Sequence, residues 1–289
     1  MKTVDQTRFF VILAFSFLCL LQVSRGQSTY YWVGGQGEWN NPLHWATSSG
    51  GSMHPASPPN SLDHTIFDDN SFSEGDTVFV YDAPAYCNNM TWVTTRIATF
   101  YATKSINIFG SLSLSPGLQN NLSGGLYFSS TLPGNTIKTN GVEISGTVYF
   151  DGIGGEWTLL GSLEIFFQLY LNAGTLNTNN HSVRAMHFYS TTDYPRALNL
   201  GNSVFTCYLQ SPTGGYSWIV DYNTSFSLST GGNSHIRFTS GGFSRMKAGD
   251  GFVYDDITFL GRGQLLSNHT HYRDVVFGRS EERRVGKEW

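Results

Sequence analysis

The chain has 289 residues, of which 40% are apolar, 15% aromatic and only 13% charged, and its formal net charge is −4. Soluble proteins are usually about 25% charged, so Ser, Thr, Asn and Gly must supply much of this surface. The 21 Phe and 15 Tyr exclude a disordered chain, and the 32 Gly, with no three-residue period, exclude collagen. The body has no Lys/Arg run, which argues against a dedicated nucleic-acid partner.

Met1–Gly26 opens with Lys2 and Arg8, continues as an apolar run from Phe9 to Leu21, and ends Gln22-Val23-Ser24-Arg25-Gly26. These are the three regions of a secretory signal peptide, with cleavage expected before Gln27. The run is about 13 residues, whereas a membrane span needs about 20. Bulky Leu18 ahead of Cys19 argues against a lipoprotein site. No later stretch is apolar for long enough to cross a bilayer. The mature chain is therefore expected outside the cell, secreted or at the cell surface, with no membrane span.

Residues 27–76 hold a dense cluster of Trp32, Gly34, Gly35, Gly37, Trp39, His44 and Trp45. Two roles suit it. Large side chains would cap the open first coil of a stacked-strand fold. Alternatively, Trp32, Trp39, His44 and Trp45 would form a ligand-binding platform on which sugars stack. The cap is the favoured reading. Further on, Asp63, Asp68, Asp69 and Asn70 follow Pro58-Pro59-Asn60, and Asp255-Asp256 forms a second acidic pair. Calcium takes six to eight oxygens, but neither group has the spacing of a calcium loop, so turn capping is the expected role. No metal or cofactor is expected.

Residues 77–278 read as short strands. Thr77-Val78-Phe79-Val80, Ile106-Asn107-Ile108-Phe109, Leu112-Ser113-Leu114, Thr147-Val148-Tyr149-Phe150 and Ile257-Thr258-Phe259 alternate apolar and polar positions and are cut by Gly, Asn and Ser. No window has the period of a capped helix. The runs also recur. Gly110-Ser111-Leu112 returns as Gly161-Ser162-Leu163, and Thr136-Ile137-Lys138-Thr139-Asn140-Gly141 returns as Thr175-Leu176-Asn177-Thr178-Asn179-Asn180. Aromatic endings at Phe128, Phe150, Phe238, Phe259 and Phe277 fall about 20 residues apart in several cases. Imperfect repeats of this length predict an all-β fold, a right-handed parallel β-helix or β-solenoid. The alternative is a β-sandwich. It is disfavoured because Asn140-Gly141 and Asp151-Gly152 are the few two-residue hairpin signals.

No catalytic residue stands out. Glu143, Asp151, Glu156 and Glu164 have no spacing that selects a glycosidase-like pair. Neither a G-x-S-x-G elbow nor an H-E-x-x-H motif occurs. His269 and His271 could share a strand face, but two ligands are too few for a metal. Cys87 and Cys207 are too far apart in sequence and too few to frame a domain this large, and are expected to be buried thiols, a single bridge being the alternative.

Arg279–Trp289 breaks from the charge-poor body with seven charged residues in eleven. It resembles the translation of a short-read sequencing adapter, an artefact tail that would leave the natural protein longer. The other reading is a charged interaction tail.

The opening Tyr31-Trp32-Val33-Gly34-Gly35-Gln36-Gly37-Glu38-Trp39, followed by His44-Trp45-Ala46-Thr47-Ser48-Ser49-Gly50-Gly51, resembles that of large secreted Bacteroidetes proteins in which it precedes a β-helix. The likeness extends through Phe67-Asp68-Asp69-Asn70-Ser71-Phe72, Cys87-Asn88-Asn89-Met90-Thr91-Trp92 and Gly154-Gly155-Glu156-Trp157-Thr158-Leu159, and covers most of residues 28–277. It implies export, often with a C-terminal type IX sorting domain, and an adhesin-like surface role. It carries no catalytic residues across, and no sorting domain is recognisable in this chain. The expected function is a structural or adhesive surface module without catalysis, whose partners are glycans or extracellular matrix. The alternatives are a discrete carbohydrate-binding domain and a polysaccharide lyase or hydrolase.

Overall fold

In the computed structural model, which describes residues 26–278 apart from 214 and 222, each of these alternating runs contributes a strand. The signal-like segment before Gly26 and the charged segment after Gly278 lie outside the described residues. Thr77–Val80, Ile106–Ile108 and Val148–Phe150 bury every second side chain, as a pleated strand with one wet face requires. Among the described residues, only Pro42–His44 and Asn223–Ser225 form short 3-10 turns.

The strands wind as a β-solenoid of about ten turns. Each central coil visits three faces in order. The first face is a ten-stranded sheet running from Thr29–Trp32 up to Phe226–Thr230, and the third is a nine-stranded sheet from Ala85–Cys87 to Arg262–Asn268. The second face is divided, with four strands up to Gln119–Leu122 and six from Leu163–Glu164 onward. At the division the Asn120 side chain replaces the missing backbone ladder. It donates to Glu143 O at 2.8 Å and accepts from Ser145 N at 2.8 Å, and Ile144 then bridges to Ile165 in parallel.

Trp45–Ala46 lies antiparallel along the outer edge of Thr29–Trp32, and all other paired strands among the described residues are parallel. Parallel pairing between strands one coil apart excludes the sandwich, whose meanders would pair antiparallel.

Register makes the core one continuous column. On the third face Ala85, Ile106, Leu126, Val148, Leu169, Phe188 and Trp218 follow one another inward, and beside them run Cys87, Ile108, Phe128, Phe150 and Leu171. All are buried. Fully burying side chains of this size is worth roughly 1.5–3 kcal/mol each, which offsets the entropy of ordering so many short strands. The aromatic endings fall in register as the spacing predicts. Phe128 pairs with Phe150, and Phe238 with Phe259 and on to Phe277.

Corners need left-handed backbone and partners for the carbonyls left free there. Asn140 and Gly141 are both left-handed, and Val142 N closes the turn on Thr139 O at 3.0 Å. Asn179 and Asn180 repeat this corner, and His181 N bonds Thr178 O. Asn-Gly therefore bends a coil here and does not reverse a hairpin. Asn side chains also tie coils together: Asn107 donates to Ala85 O, Asn135 to Glu156 O and Asn179 to Leu159 O, at 3.0–3.2 Å.

The entry region, residues 27–76, already carries the first rungs of the solenoid, Thr29–Trp32 on the first face and Gly37–Glu38 on the second. A boundary at residue 77 falls inside the second coil. The Gly-Ser-Leu repeat is not structural, because Leu112 lies on the first face and Leu163 on the second. Gly110 precedes a first-face strand, whereas Gly161 follows one. The number of faces also changes along the coil. After Phe226–Thr230 the first face ends, and Phe243–Asp250, Val253–Phe259, Arg262–Asn268 and His271–Phe277 alternate between the third and second faces alone.

Candidate functional site

The tryptophan cluster is built by a tight loop. Gly34 and Gly35 take positive φ, and His44 packs so closely over Gly37 that a Cβ there would sit 2.1 Å from its Nε2. Trp32 stacks on His44 with ring centroids 5.0 Å apart, and donates from Nε1 to Gly35 O. Trp45 meets Trp32 and Trp39 edge-on and donates from Nε1 to Trp39 O at 2.8 Å. Phe67 and Trp92 stack beneath them at 3.9 Å.

Trp32, Trp39 and Trp45 are each 0% exposed. A sugar needs an open indole face, and none is presented. The ligand-platform reading of Trp32, Trp39, His44 and Trp45 is thereby overturned: the indoles fill the bottom of the column, and His44 covers Trp32.

The acidic residues are spent on corners. Asp63 accepts from Ser28 N and Asn60 N, Asp68 from Asn70 N, and Asp69 from Thr95 N and the hydroxyls of Thr94 and Thr95. Those bonds hold the Asp69 carboxyl below its ordinary range, the Thr95 amide most of all. Asp255 accepts from Ser234 and Thr230. Glu143 pairs with Arg184 at 3.1 Å. Asp151 lies on another face and accepts from Asn172 Nδ2 at 2.7 Å, with burial raising its carboxyl. His269 sits in a left-handed turn and His271 in the following strand, so they do not share a strand face.

A feature not singled out in the sequence lies on the outer side of the third face. Tyr127, Tyr149, Tyr170 and Tyr189 occupy the same register on four consecutive coils. Their ring centroids are 4.4, 4.9 and 5.0 Å apart, and the first two pairs lie within 15° of parallel. The ladder follows from coil spacing, because identical outward residues on parallel rungs stack at about 4.8 Å. Asn107 precedes it and Ile219 follows it in the same row.

Polar pairs flank it on both sides. Thr147 donates to Gln168 Oε1 at 3.1 Å on one, and Asn172 to Asp151 on the other. No match to this chain is found among protein-family models, curated proteins or solved structures.

The rings are half-buried by one another. Burial first, then the neighbouring phenols, raises the ionisation of Tyr127 and Tyr170, and pushes Tyr189 up to about 12. A sequence signal was present: an inward residue, Tyr, then another inward residue, recurring about every 20 positions.

A cavity of about 10 Å³, lined by Met90, Phe100, Leu112, Leu118 and their neighbours, would barely hold one water. Among the described residues no three His, Cys, Asp or Glu side chains converge as a metal cluster.

Proposed function

We propose that this solenoid is an extracellular structural or adhesive module, acting through its outer faces and without catalysis of its own. The observation that carries the reading is the division of labour across each strand. Inward positions form a closed apolar column, while outward positions offer hydroxyls, amides and the tyrosine ladder. Asp69, Asp151 and Asp255 are bound into corner or cross-coil hydrogen bonds, and Glu143 is paired with Arg184.

A rigid rod with repeated polar faces suits many weak contacts made together, and such contacts give large avidity when they are geometrically matched. Export is proposed from the signal-like Met1–Gly26, and a surface role from the resemblance of the Tyr31–Gly51 region.

The test is a glycan and matrix-protein array with the purified protein, run alongside reducing-sugar and unsaturated-product assays. Broad binding without turnover supports the module. One tight glycan points to a dedicated carbohydrate-binding domain. Product formation, abolished by Asp151→Asn or Glu143→Gln, sinks the non-catalytic reading.

A further inference from the structure

We propose that the tyrosine ladder is a docking face for an uncharged polysaccharide whose chain runs along the solenoid axis, an inference that rests on the outer-face reading above. Three observations select this ligand chemistry.

The first is direction and period. Tyr127, Tyr149, Tyr170 and Tyr189 form a straight file parallel to the axis, with steps of 4.4–5.0 Å. An extended sugar chain is a linear polymer of similar repeat per residue, so it can meet one rung per sugar. A globular partner has no such repeat.

The second is the kind of contact left open. The rings stack on each other, so their faces are occupied and their edges and hydroxyls point outward. Among the described residues the Tyr127, Tyr149, Tyr170 and Tyr189 hydroxyls make no hydrogen bond within the chain, and none of these oxygens is buried without a partner. A phenol donates one hydrogen bond and accepts others, which matches sugar hydroxyls, and ring edges suit the C–H surfaces between them. The pairs Thr147–Gln168 and Asp151–Asn172 extend the polar contact to either side.

The third is charge. The ladder and its two flanking pairs carry one carboxylate, Asp151, and no cation. Lys247, further along the same row, is neutralised by Asp221. An anionic polymer would meet repulsion without compensation. A nucleic acid would find neither a basic track nor a free aromatic face on which to stack a base.

The experiment is affinity electrophoresis and calorimetry of the purified protein with soluble neutral polysaccharides (glucomannan, xyloglucan and mixed-linkage β-glucan), with alginate as the anionic comparison. Neutral-polymer binding should weaken at least about tenfold in Tyr149→Ala/Tyr170→Ala, the effect of losing central contacts. Tyr149→Phe/Tyr170→Phe preserves stacking and should fold like the parent, yet still weaken binding severalfold. Affinity for oligosaccharides of the bound polymer should rise with length and level off near the span of the ladder.

Unchanged neutral-polymer binding in both double variants overturns the ladder and leaves the adhesive reading intact. Preferential binding of alginate overturns the choice of an uncharged ligand. Absence of binding to every glycan and matrix protein overturns both proposals together.

Discussion

Asp255 accepts two hydrogen bonds from Ser234, one from its amide and one from its hydroxyl, each at 2.7 Å. The two residues belong to adjacent coils and both are buried. The bonds add to the parallel ladder of His235–Phe238 with Asp256–Phe259 at its start, where the first face is ending. Asp255→Ala leaves the Ser234 amide buried and unpaired, at a cost of about 1–3 kcal/mol. Asp255→Asn keeps one acceptor oxygen and should cost less. Urea unfolding at neutral pH measures both. Equal stability of Asp255→Ala and the parent would remove this pair from the account of the C-terminal coils.

The bottom of the column makes a stronger demand. Trp39 is 0% exposed and packs against Trp45, Phe67 and Phe100. Trp39→Ala opens a cavity larger than its neighbours can close, and a buried Trp→Ala change costs about 3–5 kcal/mol. The expected result is a lowered unfolding midpoint with glycan binding per folded molecule unchanged. Stable protein that has lost glycan binding would reinstate an indole platform.

How much of this could be read from the sequence depends on which side of the strand a residue faces. Inward positions are legible because burial demands apolar side chains at alternate places. That is why Thr77–Val80 and Val148–Phe150 read as strands and why Phe238, Phe259 and Phe277 stack as their spacing predicts. Corners are half legible. Asn140-Gly141 signals left-handed backbone in a hairpin or a solenoid alike, and only the pairing of Ile137 with Leu112 and Leu159 in parallel decides between them. Outward positions are the least legible, since water accepts almost any side chain. The tyrosine ladder thus depends on register, which no single strand reveals. The tryptophan cluster failed as a site for a related reason: an aromatic-rich loop looks the same whether it folds over the core or faces away from it.

The thiols report on the same column. Cys87 begins an inward row of the third face and Cys207 lies in an inward row of the second, and both are free and buried. Burial pushes the Cys87 thiol up to about 12 and also raises Cys207. A thiol reacts through its thiolate, so neither should react with a disulfide reagent at pH 8 while the chain is folded. Both should react once it unfolds, at the unfolding rate. Peptide mapping under non-reducing conditions should find no Cys87–Cys207 link. Rapid labelling of the native protein, or recovery of that link, contradicts the arrangement.

The ladder also carries a pH signature. Tyr189 ionises in the fold near 12, against 10.0 for an unperturbed phenol, because burial and then the neighbouring Tyr170 disfavour the phenolate. An acid whose ionisation is raised by folding holds its proton more tightly in the folded state. Its contribution to stability is therefore complete below about pH 10 and is lost as the pH rises through about 12. Stability should fall across that window, and more gently in Tyr189→Phe, which has no proton to lose there. Phenolate absorbance followed between pH 9 and 13 should show a late-titrating component in the parent that is missing from Tyr189→Phe. The Tyr170→Phe variant should move that component to lower pH, since one of the two neighbours opposing the Tyr189 phenolate is gone. A parent titration complete by pH 11, with no difference among the three proteins, would mean that the rings do not stack in solution as they do in the fold.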